Sequence, residues 1–159
     1  MKTEFLDNEY WYGGAAHYGY MMPAGNNSDI TMDLVTASGI PDQYSPLFFS
    51  NKGRYIHSDK PFVIRFNKGI IDIKGRGDIE LSEGYKTLKG AQTAAAQKYF
   101  NSNGRIPDER FFSAPQFNTW IELMYNQNQS QILEYAHSII DSGIEPGVLM
   151  IDEGWAPDY

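Results

Sequence analysis

Residues 129–152, QSQILEYAHSIIDSGIEPGVLMID, constrain the fold more than any other stretch of the chain. Ile132, Leu133, Ala136, Ile139 and Ile140 recur at helical spacing, so 129–143 predicts an amphipathic helix with one apolar stripe. Gly143 stands where a left-handed residue closes a helix, and Pro146 prevents its continuation. Residues 147–152 then predict a strand that is apolar on both faces. Such strands belong to parallel sheets covered by helices. FNTWIELMY (117–125) predicts the strand before the helix. Strand, helix and strand make one βαβ unit, whose crossover should be right-handed.

The rest of the chain has a different character. ITMDLVT (30–36) alternates with the period of a half-buried strand. PLFFS (46–50), PFVIRF (61–66) and GIIDIKG (69–75) predict further short strands, and SNKGRY (50–55) and FNKG (66–69) predict turns. This spacing suits an antiparallel sandwich. One Ala-rich helix, LKGAQTAAAQKYF (88–100), interrupts it, and Asn-Ser-Asn-Gly stops the helix. Charge divides the chain as well. All 13 Lys and Arg lie in residues 1–112, whereas 113–159 holds seven acids and no base, so the net charge of −7 belongs to the last third. A boundary near Ser113–Pro115 follows. The expected architecture is a mainly β sandwich over 1–112, then a βαβ unit over 113–159.

Several function classes are excluded or disfavoured. Without a cluster of Lys or Arg there is no electrostatic footprint for nucleic acid. The absence of cysteine removes disulfides, thiolate nucleophiles and Cys-based zinc sites. His17, His57 and His137 lack metal-ligand spacing, so structural or surface roles are expected and no metal or cofactor is. MKTEFLDNEY carries charges where a signal peptide needs an apolar core, and no run reaches the ~18 apolar residues of a membrane span. A cytoplasmic protein without a membrane partner is expected.

Ligands of parallel α/β sheets bind at the C-terminal ends of strands. The first predicted strand ends in Glu122, Tyr125 and Asn126, the second in Asp152, Glu153 and Trp155. Alternation places Trp120, Glu122 and Met124 on one face of a strand, with Ile121 and Leu123 on the other. It likewise groups Val148, Met150 and Asp152 against Leu149, Ile151 and Glu153. Asp152 and Glu153 therefore point apart and make a poor catalytic pair, which needs both groups flanking one bond. An acid after a strand is equally a solvated turn residue or a helix cap, and a Trp such as Trp155 serves packing more often than ligand contact. A carboxylate inside an apolar strand must be paired or hydrogen-bonded, which makes Glu122 a candidate. EYWYGGAAHYGYMM (9–22) reads either as a core edge of the sandwich or as an aromatic platform for sugar rings.

PQFNTWIELMYNQNQ (115–129) followed by GVLMIDEGW (147–155) resembles glycoside hydrolase family 31, in particular a bacterial branch with an NTWIELxYNQNQ segment. EYWYGG (9–14), FFSNKGRYIHSD (48–59) and the 88–100 helix resemble that branch too. The resemblance implies an N-terminal β-sandwich packed on a (β/α)8 barrel. It also implies retaining hydrolysis of α-linked sugars by an Asp nucleophile and an Asp acid/base. Residues 113–159 would be strand 1, helix 1 and strand 2 of that barrel. Asp152 matches the strand-2 Asp that hydrogen-bonds sugar hydroxyls in the −1 subsite. The family often has an aromatic residue near the end of strand 1. The match here falls at Met124–Tyr125, where the residue type departs, leaving Tyr125 and Glu122 as branch-specific candidates for substrate contact beside Trp155. Glu153 stands where the branch more often has Asp. The nucleophile and acid/base belong to strands 4 and 6, beyond Tyr159. The chain is thus expected to be the truncated N-terminal portion of a longer enzyme, inactive alone, whose partner is an oligosaccharide or α-glycoside. A homo-oligomer of the full-length enzyme is compatible with this reading. The alternative from another class is a non-catalytic carbohydrate-binding or scaffold protein.

Overall fold

The computed structural model describes residues 1–40 and 42–155. The chain divides into two compact units, Met1–Ser102 and Asn103–Tyr159. The charge break near Ser113–Pro115 falls inside the second. The first unit contains β1 (Lys2–Glu4), β2 (Tyr10–Ala15), β3 (Ala24–Gly25), β4 (Asp29–Asp33), β5 (Tyr44–Ser50), β6 (Tyr55–Ser58), β7 (Phe62–Asn67), β8 (Ile70–Gly75), β9 (Ile79–Ser82) and helix α1 (Leu88–Tyr99). The second contains α2 (Arg110–Ser113), β10 (Gln116–Asn118), α3 (Trp120–Leu123), α4 (Gln129–Asp141) and β11 (Val148–Met150).

The first unit is a sandwich-like pair of antiparallel sheets. One runs β1-β8-β7-β4 and the other β3-β2-β5-β6-β9. Alternation along the strands explains the core between them. Ile64, Phe66 and Ile73 from the four-stranded sheet meet Trp11, Phe48 and Ile56 from the five-stranded sheet in one buried cluster. The β7–β8 hairpin follows from its turn, because Lys68 and Gly69 both take positive φ, as a two-residue hairpin loop requires. The strand expected over 30–36 stops at Asp33. Its carboxylate accepts the amides of Val35 (2.9 Å) and Thr36 (3.0 Å), so the side chain closes a turn where the ladder would have continued.

The odd residues of β5 and β6 face away from that core. Tyr55 is buried with Ala91 and Ala95 of α1, and Leu47, Phe49, Tyr85 and Tyr99 surround them. Glu80 anchors this helix. Its carboxylate accepts from Tyr55 Oη (3.0 Å), Tyr99 Oη (2.5 Å) and Lys98 Nζ (2.6 Å). His57 stacks on Tyr99 with ring centroids 3.7 Å apart. Burial lowers the His57 pKa, opposed by the charges of Glu80 and Asp59 and assisted by Lys98, and the net value lies below the ordinary 6.5.

That shift has a consequence for stability. Between the lowered folded value and 6.5 the unfolded chain binds more protons at this site than the folded one, so stability rises with pH there. The contribution is complete above 6.5 and is lost as pH falls through the folded value. His57→Phe keeps the ring stack and removes the titration. Urea unfolding at about pH 7.5 and about pH 5 should show a smaller acid loss for this variant than for wild type, and equal losses would contradict the assignment.

The second unit holds the βαβ arrangement. β10 and β11 pair in parallel, with Gln116 opposite Val148, Phe117 opposite Leu149 and Asn118 opposite Met150. α4 starts at Asn128, whose side chain accepts the Gln131 amide (3.0 Å). It ends before Gly143, which adopts φ +76°. Ala136, Ile139 and Ile140 face Phe117, Val148 and Leu149 across a gap of about 120 Å³. The strand expected at 147–152 pairs only over Val148–Met150, and Met150 is 54% exposed, so this sheet lacks the two-sided burial that its sequence predicts. Among the described residues no helix is long and apolar enough to cross a membrane.

The strand expected over 117–125 is corrected. It ends at Asn118, and Trp120–Leu123 form a helical turn. Asn118 Oδ1 accepts the Trp120 amide (2.7 Å), and Thr119 O accepts the Leu123 amide (2.9 Å). The Asn118 side chain offers the backbone a local partner that wins over the ladder, and the Leu123 amide then closes an ordinary helical turn on the Thr119 carbonyl. The expected face of Trp120, Glu122 and Met124 therefore does not exist. Ile121, expected against a helix layer, is 86% exposed.

Candidate functional site

The second unit gathers its polar groups at the C-terminal ends of β10 and β11. Asp152, two residues past β11, is half-buried. Its Oδ2 accepts from Asn118 Nδ2 at 2.6 Å, and its Oδ1 accepts the Glu153 amide at 2.7 Å. Asn118 Nδ2 also approaches Met150 Sδ (3.4 Å), so Asn118, Met150 and Asp152 share a face, as strand alternation requires. The Asn118 hydrogen bond, with that of the Glu153 amide, holds the Asp152 carboxyl below the usual carboxylate range. Asp152 is therefore ionised at neutral pH and acts as an acceptor only.

The backbone of Asp152 is fixed as well. Its amide donates to Thr119 Oγ1 (3.1 Å), and Thr119 is fully buried. Thr119 Oγ1 in turn donates to Gln127 Oε1 (2.6 Å). Gln127 Nε2 returns to the Asp152 carbonyl (3.2 Å), the Met124 carbonyl (3.0 Å) and the Glu153 carbonyl. Asp152, Thr119 and Gln127 thus close a ring of hydrogen bonds. Gly154 completes the close approach of the two loops. It adopts φ +95°, and a Cβ there would lie 3.0 Å from Tyr125 Cα and 3.2 Å from Met124 O. No side chain fits without displacing backbone.

The remaining candidates are placed differently. Glu122 is exposed on α3, so the desolvation that singled it out inside a strand does not arise. Tyr125 is 64% exposed and sits edge-on to Trp120, with ring centroids 4.9 Å apart. Trp155 is 65% exposed. It lines an apolar groove of about 590 Å³ with Ile132, Leu133 and Ile151, on the α4 side of the sheet. Asp152 is absent from that lining and bonds on the Asn118 and Met150 side. Glu153 is exposed beside Asp152. Among the described residues no three His, Asp or Glu side chains come together as metal ligands.

Asn118, Thr119 and Gln127 escaped the sequence reading. Asn-Thr ahead of an apolar run is a helix-start signal, and it was available at 118–119. Gln127 carries no such signal, because apart from the nearby Met124 carbonyl its partners are 8 to 26 residues away. In the aromatic segment 9–22, Trp11 is fully buried and belongs to the sandwich core, whereas Tyr10, Tyr12 and Tyr20 are exposed. No known family model and no curated protein matches this chain.

Proposed function

We propose that this chain is the N-terminal portion of a retaining α-glycoside hydrolase, and that it supplies the sandwich and part of the −1 sugar subsite. The supporting observation is Asp152, a half-exposed, ionised carboxylate fixed at the C-terminal end of two parallel strands. That is where ligands of parallel α/β sheets bind. Its chemistry suits an acceptor of sugar hydroxyl protons. The resemblance of 115–129 and 147–155 to family 31 points the same way, and it makes β10, α4 and β11 the first βαβ of a (β/α)8 barrel. The exposed apolar residues of α4 and β11, such as Leu133, Ile140 and Met150, suit burial by further barrel elements.

On this reading Asp152 binds and does not react. Retaining hydrolysis needs two carboxylates about 5–5.5 Å apart, one attacking the anomeric carbon and one protonating the leaving oxygen. Both are assigned to later barrel strands. Asp152→Asn in the complete enzyme turns an acceptor-only group into a mixed donor and acceptor. It should cost about 2–4 kcal/mol of transition-state stabilisation, roughly 30- to 1000-fold in kcat/KM. A near-wild-type kcat/KM would remove Asp152 from the subsite.

A second reading draws on the first unit. Tyr12 and Phe49 line a groove of about 570 Å³ with Met22, Ser45 and Leu47, which suits a non-catalytic carbohydrate-binding sandwich. Affinity electrophoresis in soluble α-glucans discriminates the two. Retardation abolished by Tyr12→Ala and untouched by Asp152→Asn favours the second reading.

A further inference from the structure

We propose that Asn118 and Gln127 are positioning residues for Asp152, which together present its free lone pairs to neighbouring hydroxyls of a neutral polyol. The nature of the ligand rests on the sugar-binding reading above; the positioning rests on geometry alone. An ionised carboxylate has about four acceptor positions. Asn118 Nδ2 occupies one on Oδ2 and the Glu153 amide one on Oδ1, and the side chain is half-exposed. About two positions therefore remain for a ligand. Among the described residues no Lys or Arg pairs with Asp152, and none acts on its carboxyl by charge. An anionic ligand would meet an uncompensated negative charge, whereas neutral O–H donors fit.

Both amides are locked in orientation. Asn118 Oδ1 accepts the Trp120 amide, so its NH₂ group must face Asp152. Gln127 Oε1 accepts the Thr119 hydroxyl, so its NH₂ group must face the carbonyls of Met124, Asp152 and Glu153. Flipping Asn118 would oppose donor to donor and acceptor to acceptor, and flipping Gln127 would turn its oxygen onto the carbonyl oxygens of Met124, Asp152 and Glu153. The carboxylate is held by Asn118 and its backbone by the Thr119–Gln127 ring. Within the 118–127 segment, these inward amides govern ligand binding more than the exposed Glu122 and Tyr125.

Isosteric variants of the 159-residue chain test this. Asn118→Asp and Gln127→Glu exchange the NH₂ donor for an acceptor at constant size. Side-chain carboxyl NMR should show the Asp152 midpoint raised by about one pH unit or more in Asn118→Asp, since adjacent carboxylates cannot both ionise freely. The milder Asn118→Ser should raise it less, and serves if the Asp variant does not fold. In Gln127→Glu the Asp152 amide should exchange with solvent about tenfold faster or more while the amides of α4 keep their wild-type rates, because only its loop is released. A general loss of stability would not move the Asp152 midpoint. A wild-type Asp152 midpoint in the position-118 variants, or wild-type exchange in Gln127→Glu, overturns the proposal. Methyl α-glycosides added to the wild-type chain should shift the Asp152 resonance, and inorganic sulfate should not. Positive results in the variants without any response to glycosides would reject the sugar while leaving the positioning intact.

Discussion

Arg54→Ala should destabilise the first unit by about 3–5 kcal/mol, the typical cost of removing one partner of a buried ion pair. The Glu9 side chain is completely buried and that of Arg54 is 5% exposed. Arg54 Nε donates to Glu9 Oε1 (2.8 Å), and its Nη2 donates to the Glu4 carbonyl (2.8 Å) and to Glu9 Oε2. Its guanidinium lies over the Trp11 ring, 5.3 Å from the centroid. Burial pushes the Glu9 carboxyl up. Hydrogen bonds from Arg54, Ser50 and the Leu6 amide, with the Arg54 charge, more than reverse this, so the net value is lowered. Alanine leaves that carboxylate buried without its countercharge. Arg54→Met should cost more alone than in combination with Glu9→Gln, because the double variant buries no charge. Urea unfolding measures both. A cost below about 1 kcal/mol for Arg54→Ala would show that the pair is not what joins β1, the 6–9 turn and the β5–β6 turn.

Phe48→Ala should cost about 3–5 kcal/mol, the range for deleting a large buried aromatic side chain. Phe48 is fully buried at the middle of β5. Its ring centroid lies 5.9 Å from those of both Phe62 and Phe66, which belong to the opposite sheet. It is the point at which the two layers interdigitate, and the surrounding strands are tied by ladders that limit collapse into the space left behind. Phe48→Leu should recover more than half of the loss. A cost below about 1.5 kcal/mol for the alanine variant would mean that the sheets do not share one core there.

The sandwich was legible wherever a strand had both alternation and a turn signal beside it. PFVIRF and GIIDIKG had both, and they form β7 and β8. β1 and β9 are three and four residues long, too short for a period to mark a strand, although Ile79, Glu80, Leu81 and Ser82 alternate. β6 is hidden because SNKGRY carries turn signals throughout, whereas Tyr55 already pairs with Phe49. In the second unit α4 was legible from its apolar stripe and from Gly143. FNTWIELMY misled because a short apolar run fits a strand and a helical turn equally, and Asn118 decides between them with one side-chain bond. Asp152 could be found from its place after a strand. The groups that hold it could not, because they act through hydrogen bonds spanning up to 34 residues and leave no periodic trace.

The stereochemistry of hydrolysis by the complete enzyme tests the central proposal most directly. Proton NMR of the first product formed from an aryl α-glycoside distinguishes the anomers before mutarotation mixes them. A retaining enzyme with Asp152 in its −1 subsite gives the α-anomer first, at a rate that falls roughly 30- to 1000-fold in Asp152→Asn. The β-anomer first, or no cleavage of any α-glycoside, would contradict it.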